Sequence, residues 1–217
     1  MTLDLFDDDD GARQAVETLA EGAVVLRGFA RADGPYLMAG IEAVTGSAPF
    51  RQMQTPGGRT MSAAMSCCGP LGWVTDRRGY RYQPTDPLND QPWPAMPGAF
   101  RGLAVRAAEA AGYPGFAPDA CLINRYQPGA RMGLHQDRDE QDLSQPIVSV
   151  SLGLPMVFQF GGARRQDPVI RVPLAHGDVV VWGGVSRLWY HGVLTLRPGD
   201  HPLTGDCRYN LTFRKAR

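Results

Sequence analysis

The even spacing of glycine and proline constrains this chain more than any other feature. The 217 residues include 26 glycines and 18 prolines, spread in short clusters rather than gathered in one linker. Between these clusters stand apolar runs of about four to seven residues, several with alternating side chains, which predict short β-strands joined by turns. A β-sandwich, jelly roll or barrel is therefore expected, rather than a parallel sheet with crossover helices.

The predicted elements make the chain mainly β with flanking helices, an α+β protein. Helices are predicted over Ala12–Ala20, Gly34–Thr45 and Pro97–Ala111, the last with a proline in its first turn and Gly112 after its end. The predicted strands follow in series, and they cover residues 120–126, 147–152, 156–160, 169–172, 178–182, 188–191 and 207–213.

Composition narrows the class of protein further. Hydrophobic residues make up 43%, charged residues 20%, and the formal net charge is zero, so the overall field favours neither nucleic acid nor membrane. Apolar runs such as Val179–Trp182 are far shorter than the roughly 18 residues of a membrane span. The start of the chain has neither the basic nor the apolar part of a secretory signal. We expect a cytoplasmic monomer that does not act at a membrane, with its four cysteines as free thiols.

One segment differs from the strand series. Residues 49–95 are rich in glycine and aromatic residues, and Trp73, Arg77–Arg78 and Tyr80–Tyr82 place rings beside cations. Such interleaving is used to stack bases and hold phosphates, although ordinary half-buried hairpin aromatics would give the same pattern. On this evidence alone both interpretations stay open.

A metal-ligand pattern follows the predicted strand 120–126. In an extended chain, residues two apart point to the same side, so His135 and Asp137 would converge on one point. A second histidine would complete the two-histidine, one-carboxylate triad that binds Fe(II) and leaves positions open. His191 is the candidate, because His176 and His201 lie in turn-rich segments.

The last predicted strand carries a second polar group. Arg208 and Asn210 share one face of that strand, and Thr212 and Arg214 continue the same face. Two cations and an amide on one face could approach a dicarboxylate from one side, with charge-assisted hydrogen bonds.

These motifs together resemble the AlkB family of Fe(II)- and 2-oxoglutarate-dependent dioxygenases, and the similarity covers nearly the whole chain. The residues that carry it are Asn124–Tyr126, His135–Asp137, His191 and Arg208–Arg214, together with Phe50–Met53, Thr55–Gly58, Gly72–Trp73, Pro92–Pro97, Pro118–Tyr126 and Pro146–Pro155.

The resemblance implies a double-stranded β-helix, or jelly roll, within a single domain over 1–217. Residues 1–48 would form amino-terminal helices and a strand, 49–95 a nucleotide-recognition lid, and 96–217 a helix and the catalytic core. It further implies Fe(II), 2-oxoglutarate and O2 as cofactor and cosubstrates. The implied metal ligands, which are also the catalytic residues, are His135, Asp137 and His191.

For 2-oxoglutarate, the resemblance implies that Arg208 pairs with the far carboxylate, beside Asn124 and Tyr126. Asn210 and Arg214 would approach the carboxylate at the iron. These roles come from the family and match the expectation that a buried dianion needs cationic partners.

The implied reaction is hydroxylation of the methyl group of 1-methyladenine or 3-methylcytosine in DNA, after which formaldehyde leaves. Such bases are cationic, and Trp73 and Asp139 match the family's aromatic plate and carboxylate. The base reaches the iron flipped out or single-stranded, so single- and double-stranded DNA, and RNA, are expected partners. The residues implied to contact the base or its strand are Thr55, Trp73, Tyr80, Arg131, Asp139 and Arg165.

Two alternatives remain beside this interpretation. The same oxygenase chemistry could act mainly on modified RNA or on a protein side chain. A non-catalytic jelly-roll binding protein is the other alternative, but it gives no reason for His135, Asp137, His191, Arg208 and Arg214 to occur together.

Overall fold

The computed structural model describes residues 15–217 of the chain. Along this part, the elements are β1 (Val16–Ala20), β2 (Ala23–Leu26), α1 (Gly34–Ser47), β3 (Ala64–Cys68), β4 (Gly72–Asp76), β5 (Gly79–Gln83), α2 (Gly98–Ala110), β6 (Ala120–Tyr126), β7 (Met132–His135), β8 (Ile147–Gly153), β9 (Met156–Phe160), β10 (Ile170–Leu174), β11 (Val179–Trp182), a short 3-10 helix (Gly184–Ser186), β12 (His191–Val193) and β13 (Arg208–Arg214).

Two antiparallel sheets form the core. The larger has the strand order β1–β2–β11–β8–β13–β6–β3 and the smaller has the order β10–β9–β12–β7, while β4 and β5 form a separate hairpin. Both helices pack on one face of the larger sheet, and apolar residues of the smaller sheet pack against strands of the larger one. The predicted jelly roll with flanking helices is confirmed.

The helices follow from their apolar spacing. In α1, Leu37, Ile41 and Val44 are buried at intervals of four and three residues, which puts them on one face of a helix. Pro35 lies in the first turn, where the missing N–H costs no hydrogen bond. The predicted boundaries of both Gly34–Thr45 and Pro97–Ala111 agree with the structure within two residues.

Alternation along β13 decides where the polar side chains lie. This strand pairs with β8 on one side and β6 on the other. Leu211 and Phe213 are fully buried in the layer shared with the helices, whereas Arg208, Asn210 and Arg214 line a cavity on the opposite face. Since side chains of a strand alternate between faces, one strand contributes to the core and to the cavity.

The predicted helix Ala12–Ala20 is wrong over the part that is described. Residues 16–20 form β1, which pairs with β2, and residues 12–14 lie outside the described part. The turn between the strands uses Gly22 at φ +74°, and a Cβ there would lie 2.5 Å from the carbonyl oxygen of Gly183. Hairpin pairing therefore overrides the helical pattern of this segment.

The predicted strand 188–191 is also wrong in position. The amide of Trp189 donates to Ser186 O, so the chain is still turning after the 3-10 helix. The strand begins only at His191, which pairs with His135 of β7. The other predicted strands are found with ends shifted by at most two residues.

The segment 49–95 contains more strand than the sequence indicated. β3 belongs to the larger sheet and pairs with β6, so this part of the predicted lid lies within the core. The β4–β5 hairpin stands outside both sheets. Among residues 15–217, no helix has the length and apolar character needed to cross a membrane.

The contact between α2 and the larger sheet generates a stability prediction. Phe100 is fully buried and packs edge-to-face against Phe213 of β13, with 6.1 Å between the ring centres. Phe100→Ala should lower the free energy of unfolding by about 3–5 kcal/mol, because it leaves a cavity. Denaturant unfolding measures this change. Tyr36→Ala, on the exposed face of α1, is the control and should change stability by about 0.5 kcal/mol or less; equal losses would show that the α2 contact is not part of the core.

Candidate active site

A cavity of about 500 Å³ opens between the two sheets, beneath the β4–β5 hairpin. It brings together most of the residues singled out in the sequence. The predicted site residues that line it are Trp73, Tyr80, Asn124, Tyr126, His135, Asp137, Asp139, Arg165, His191, Arg208, Asn210 and Arg214. Thr55 and Arg131 are not among its lining residues.

Two short strands and one loop position the three candidate metal ligands. His135 ends β7, His191 begins β12, and these two residues are paired across the smaller sheet. Asp137 follows His135 by two residues. One ligand atom from each of the three residues lies within 4.8 Å of the others.

The hydrogen bonds of both imidazoles leave the same nitrogen free. Nδ1 of His135 lies 2.9 Å from Gly133 O, and Nδ1 of His191 lies 3.0 Å from Trp189 O. A carbonyl oxygen only accepts, so each Nδ1 carries the proton and each Nε2 presents its lone pair. The Nε2 atoms of His135 and His191 lie 3.6 and 3.7 Å from the carboxylate of Asp137.

The charge states complete this donor set. Burial, with the neighbouring His191, lowers the pKa of His135 to about 4, so this ring is neutral near pH 7. Burial alone would raise the pKa of Asp137, but Arg214 and the two histidines hold it well below its usual value. Two imidazoles and one carboxylate on one side of a point are the facial donor set of non-haem Fe(II), so the residues fit this metal.

Arg214 pairs with Asp137 inside the cavity. Its Nε and one terminal nitrogen donate to Oδ2 of Asp137 at 2.9 and 2.6 Å, which leaves Oδ1 facing His135. Burial opposes the guanidinium charge, yet Asp137, Tyr82 and Glu140 raise the pKa of Arg214. Arg214 therefore orients the carboxylate of Asp137, one of the candidate metal ligands. The resemblance had implied only a role toward 2-oxoglutarate for this residue.

Arg208 lies in the same cavity without an anionic partner. Its side chain is 1% exposed and one terminal nitrogen donates to Ser151 Oγ at 2.8 Å, while Nε has no hydrogen-bond partner. No carboxylate of residues 15–217 lies within 4.0 Å of it. Burial lowers the pKa of Arg208 only to about 10, so the group stays charged. A buried, uncompensated cation fits the carboxylate of an anionic ligand.

The neighbours of Arg208 offer further polar atoms. Tyr126 and Asn124 of β6 are the register partners of Arg208 and Asn210. Burial raises the pKa of Tyr126 to about 12, so its hydroxyl stays a donor, and it makes a weak hydrogen bond to the sulfur of Met132 at 4.0 Å. Nδ2 of Asn124 makes a long hydrogen bond, 3.5 Å to Oδ1 of Asn210, so this amide can also donate to a carboxylate. Together with Arg208, the Tyr126 hydroxyl and this amide fit 2-oxoglutarate as the ligand.

The mouth of the cavity carries the candidate base-binding residues. The ring of Trp73 stacks on Tyr80 at 5.6 Å with 16° between the planes, and its Nε1 donates to Oδ2 of Asp139 at 2.9 Å. The guanidinium of Arg165 lies 5.7 Å from the centre of the Tyr190 ring. The mouth thus combines aromatic faces with the carboxylate of Asp139 and the cations of Arg138 and Arg165.

Thr55 and Arg131 lie outside the cavity, on turns. The amide of Thr55 donates to Arg59 O in a tight turn, and the carbonyl of Arg131 accepts a hydrogen bond from Ser62 Oγ. Both positions can meet a nucleic-acid strand only beyond the rim.

The sequence assigned no role to two buried charges behind the cavity, Glu140 and Arg187. Their side chains are 1% and 3% exposed and form an ion pair at 3.0 Å. Glu140 also accepts from the Tyr82 hydroxyl at 2.7 Å. The only available signal was position, because Glu140 follows Asp139 and Arg187 precedes His191 by four residues.

Comparison with known proteins agrees with this geometry. Residues 22–214 match the 2OG-Fe(II) oxygenase superfamily. The chain is 63% identical over 214 residues to the alpha-ketoglutarate-dependent dioxygenase AlkB of Escherichia coli K12, covering 99% of this chain and 98% of that relative. It is 33% identical over 138 residues to the nucleic acid dioxygenase ALKBH1 of Mus musculus, covering 63% of this chain and 34% of that relative.

The fold has a solved counterpart as well. The structure of OsALKBH1 superimposes with a TM-score of 0.82 at 31% identity, and the match covers 93% of this chain and all of that one. The triad, the cavity and these similarities lead to one conclusion. The chain belongs to the 2OG-Fe(II) oxygenase superfamily and, within it, to the AlkB family of dioxygenases, which use Fe(II), 2-oxoglutarate and O2.

Proposed function

We propose that this dioxygenase oxidatively dealkylates alkylated bases in nucleic acid, with 1-methyladenine and 3-methylcytosine in DNA as its main substrates. One observation carries the proposal: the indole of Trp73 and the carboxylate of Asp139, joined by a hydrogen bond, stand at the mouth of the cavity that holds the triad. A ring face beside a carboxylate favours a flat, cationic ligand. A relative named a nucleic acid dioxygenase supports the substrate class.

Fe(II) bound with 2-oxoglutarate and O2 would supply the oxidation of a methyl C–H bond, and the hydroxymethyl group would then leave as formaldehyde. His135, Asp137 and His191 would hold the metal from one side and leave the other side open. Arg214 would keep Asp137 ionised and oriented through its two hydrogen bonds.

The polar face of β13 would hold the cosubstrate. Arg208 would neutralise the far carboxylate, and Tyr126 and Asn124 would add hydrogen bonds there. Asn210 donates to Ser149 Oγ at 2.8 Å, which fixes its amide on the face that continues to Arg214. Asn210 and Arg214 would then meet the ligand at its metal end.

The substrate base has to enter a cavity between two sheets, so it must be flipped out of a duplex or come from a single strand. Trp73 would stack on the base, while Tyr80 and Arg165 would line its path. Thr55 and Arg131, beyond the rim, would contact the strand. We propose residues 49–95 as the recognition segment, in which the β4–β5 hairpin forms the lid and β3 anchors the segment in the larger sheet. We further propose a cytoplasmic monomer acting on single- or double-stranded DNA, and also on RNA.

The direct test is an assay of the purified protein with Fe(II), 2-oxoglutarate, O2 and an oligonucleotide that carries one 3-methylcytosine. Mass analysis should show loss of one methyl group with release of formaldehyde, and no loss when 2-oxoglutarate is omitted. An unchanged oligonucleotide under complete conditions would exclude the proposed substrate.

The metal-ligand set generates the first functional prediction. Asp137→Ala should abolish turnover and the visible absorption of the Fe(II)–2-oxoglutarate chelate, because one ligand is lost. Asp137→Asn keeps an acceptor for Arg214 and tests the charge with less disturbance of the fold. Asp142→Ala is the control and should keep both signals, because it removes a carboxylate of the same loop whose hydrogen bonds, among residues 15–217, are with Ser144 alone. Turnover retained by Asp137→Ala would exclude the triad.

The second functional prediction concerns Arg208. Arg208→Ala should raise the 2-oxoglutarate concentration needed for half-maximal rate by about two to three orders of magnitude, the effect of losing a buried charge partner. Arg106→Ala removes an arginine from an exposed ion pair with Asp33 and should leave the titration unchanged. If Arg208→Ala also leaves it unchanged, the far carboxylate binds elsewhere and Arg214 becomes the candidate.

The third functional prediction concerns Asp139. Asp139→Asn keeps an oxygen that can accept from Trp73 Nε1 but removes the charge. Its kcat/KM should therefore fall by about ten- to hundredfold more on cationic 3-methylcytosine than on neutral 3-methylthymine in the same oligonucleotide. Trp73→Ala, which removes the stacking face, should weaken both substrates. Equal losses in Asp139→Asn would mean that this carboxylate supports the loop and does not recognise charge.

A further inference from the structure

The β4–β5 hairpin is hydrogen-bonded to Asp139 and Glu140, two neighbouring residues of the segment after Asp137. Trp73 and Tyr82 face each other across the hairpin. Trp73 donates to Asp139, and the Tyr82 hydroxyl donates to Oε1 of Glu140 at 2.7 Å. Asp139 also has to meet the base in the proposed function, so Glu140 is the partner that can hold the hairpin throughout the reaction.

The surroundings of Glu140 fix its side chain in one position. Both of its oxygens are used, because Oε2 accepts from Arg187 at 3.0 Å and Oε1 lies 3.4 Å from Nε of Arg214 in addition to the Tyr82 bond. The side chain is 1% exposed. Turning it toward a ligand would leave the cation of Arg187 buried without its carboxylate, which is costly.

Arg187 extends the contact to both ligand-bearing segments. It lies between the 3-10 helix and β12, four residues before His191. Its Nε donates to Gln145 O at 2.9 Å, and one terminal nitrogen donates to the main-chain oxygen of Asp137 at 2.7 Å. The Arg187 side chain therefore joins the segment that leads to His191 with the main chain of Asp137.

We propose that Glu140 is a positioning residue, which fixes the β4–β5 hairpin over the metal ligands through Tyr82 and fixes the ligand segments through Arg187. This inference rests on the proposed function for the identity of the substrate. The inference adds that the β4–β5 hairpin and the segments carrying the metal ligands both contact the buried carboxylate of Glu140. This shared contact fixes the position of the base-stacking ring of Trp73 relative to the metal site.

The hairpin arm is tested with Tyr82→Phe, which removes only the hydroxyl. Hydrogen exchange of the β4 and β5 amides in the metal-free protein should speed up by about tenfold, the scale of a lost bond to a charged group. The KM for the methylated oligonucleotide should rise by a similar factor, while that for 2-oxoglutarate stays unchanged. Tyr113→Phe removes a hydroxyl that donates to Gly22 O, also at 2.7 Å, away from the cavity lining, and should change none of these values.

The ligand arm is tested with Glu140→Gln, which keeps an acceptor for Tyr82 but not the charge that Arg187 needs. Anaerobic titration with Fe(II) alone should show affinity lowered by about tenfold, as for other residues behind metal ligands. Glu42→Gln, on the exposed face of α1, is the control and should bind as the wild type does. All measurements are made at a temperature where each variant is folded.

The proposal requires both arms. Hairpin exchange in Tyr82→Phe equal to that of Tyr113→Phe would overturn it, and so would an unchanged Fe(II) affinity in Glu140→Gln. Neither readout uses a nucleic acid. A wild-type protein that leaves methylated oligonucleotides unchanged would therefore overturn the proposed substrate separately.

Discussion

The ion pair between Arg214 and Asp137 is the interaction on which the cavity depends. Burial without a partner would favour a protonated Asp137, and a protonated acid is a poor metal ligand. Arg214 removes this obstacle because β13 lies between β8 and β6, where the sheet fixes its position. This interior strand thus contributes both to the core of the fold and to the charge balance that metal binding at Asp137 needs.

The same strand explains why the two arginines have different surroundings. Arg214 already has an anionic partner in the protein, whereas Arg208 has a hydroxyl and a distant carbonyl. The charge of Arg214 is therefore already balanced by the protein's own carboxylate, whereas the charge of Arg208 remains to be balanced by a ligand. Such a division could not be derived from spacing, since both residues have the same parity on one strand.

Much of the fold could be predicted from the sequence, because alternating apolar runs between turn residues specify strands directly. The predicted strand 120–126 was correct at both ends, and His135, Asp137 and His191, which spacing and residue type singled out, lie together in the cavity. The roles assigned to the substrate-contacting residues stay predictions.

The errors share a physical cause, which is dependence on contacts that the pattern of a single segment does not show. Residues 16–20 become a strand only because β2 is beside them, and the chain before His191 turns because of the 3-10 helix. Glu140 and Arg187 are buried through contact with each other, and charged residues in loops are ordinarily exposed. No local pattern distinguishes these cases.

The alternation of β13 has a consequence for how errors in folding would show themselves. A slip of one residue in its pairing would exchange the two faces of the strand. Leu211 and Phe213 would then point into the cavity, and the arginines would point into the apolar layer beneath the helices. A molecule with the wrong register would lose catalysis and core packing together. Misassembled chains would therefore be inert and prone to aggregate. Without the metal site, they would not oxidise molecules other than the substrate.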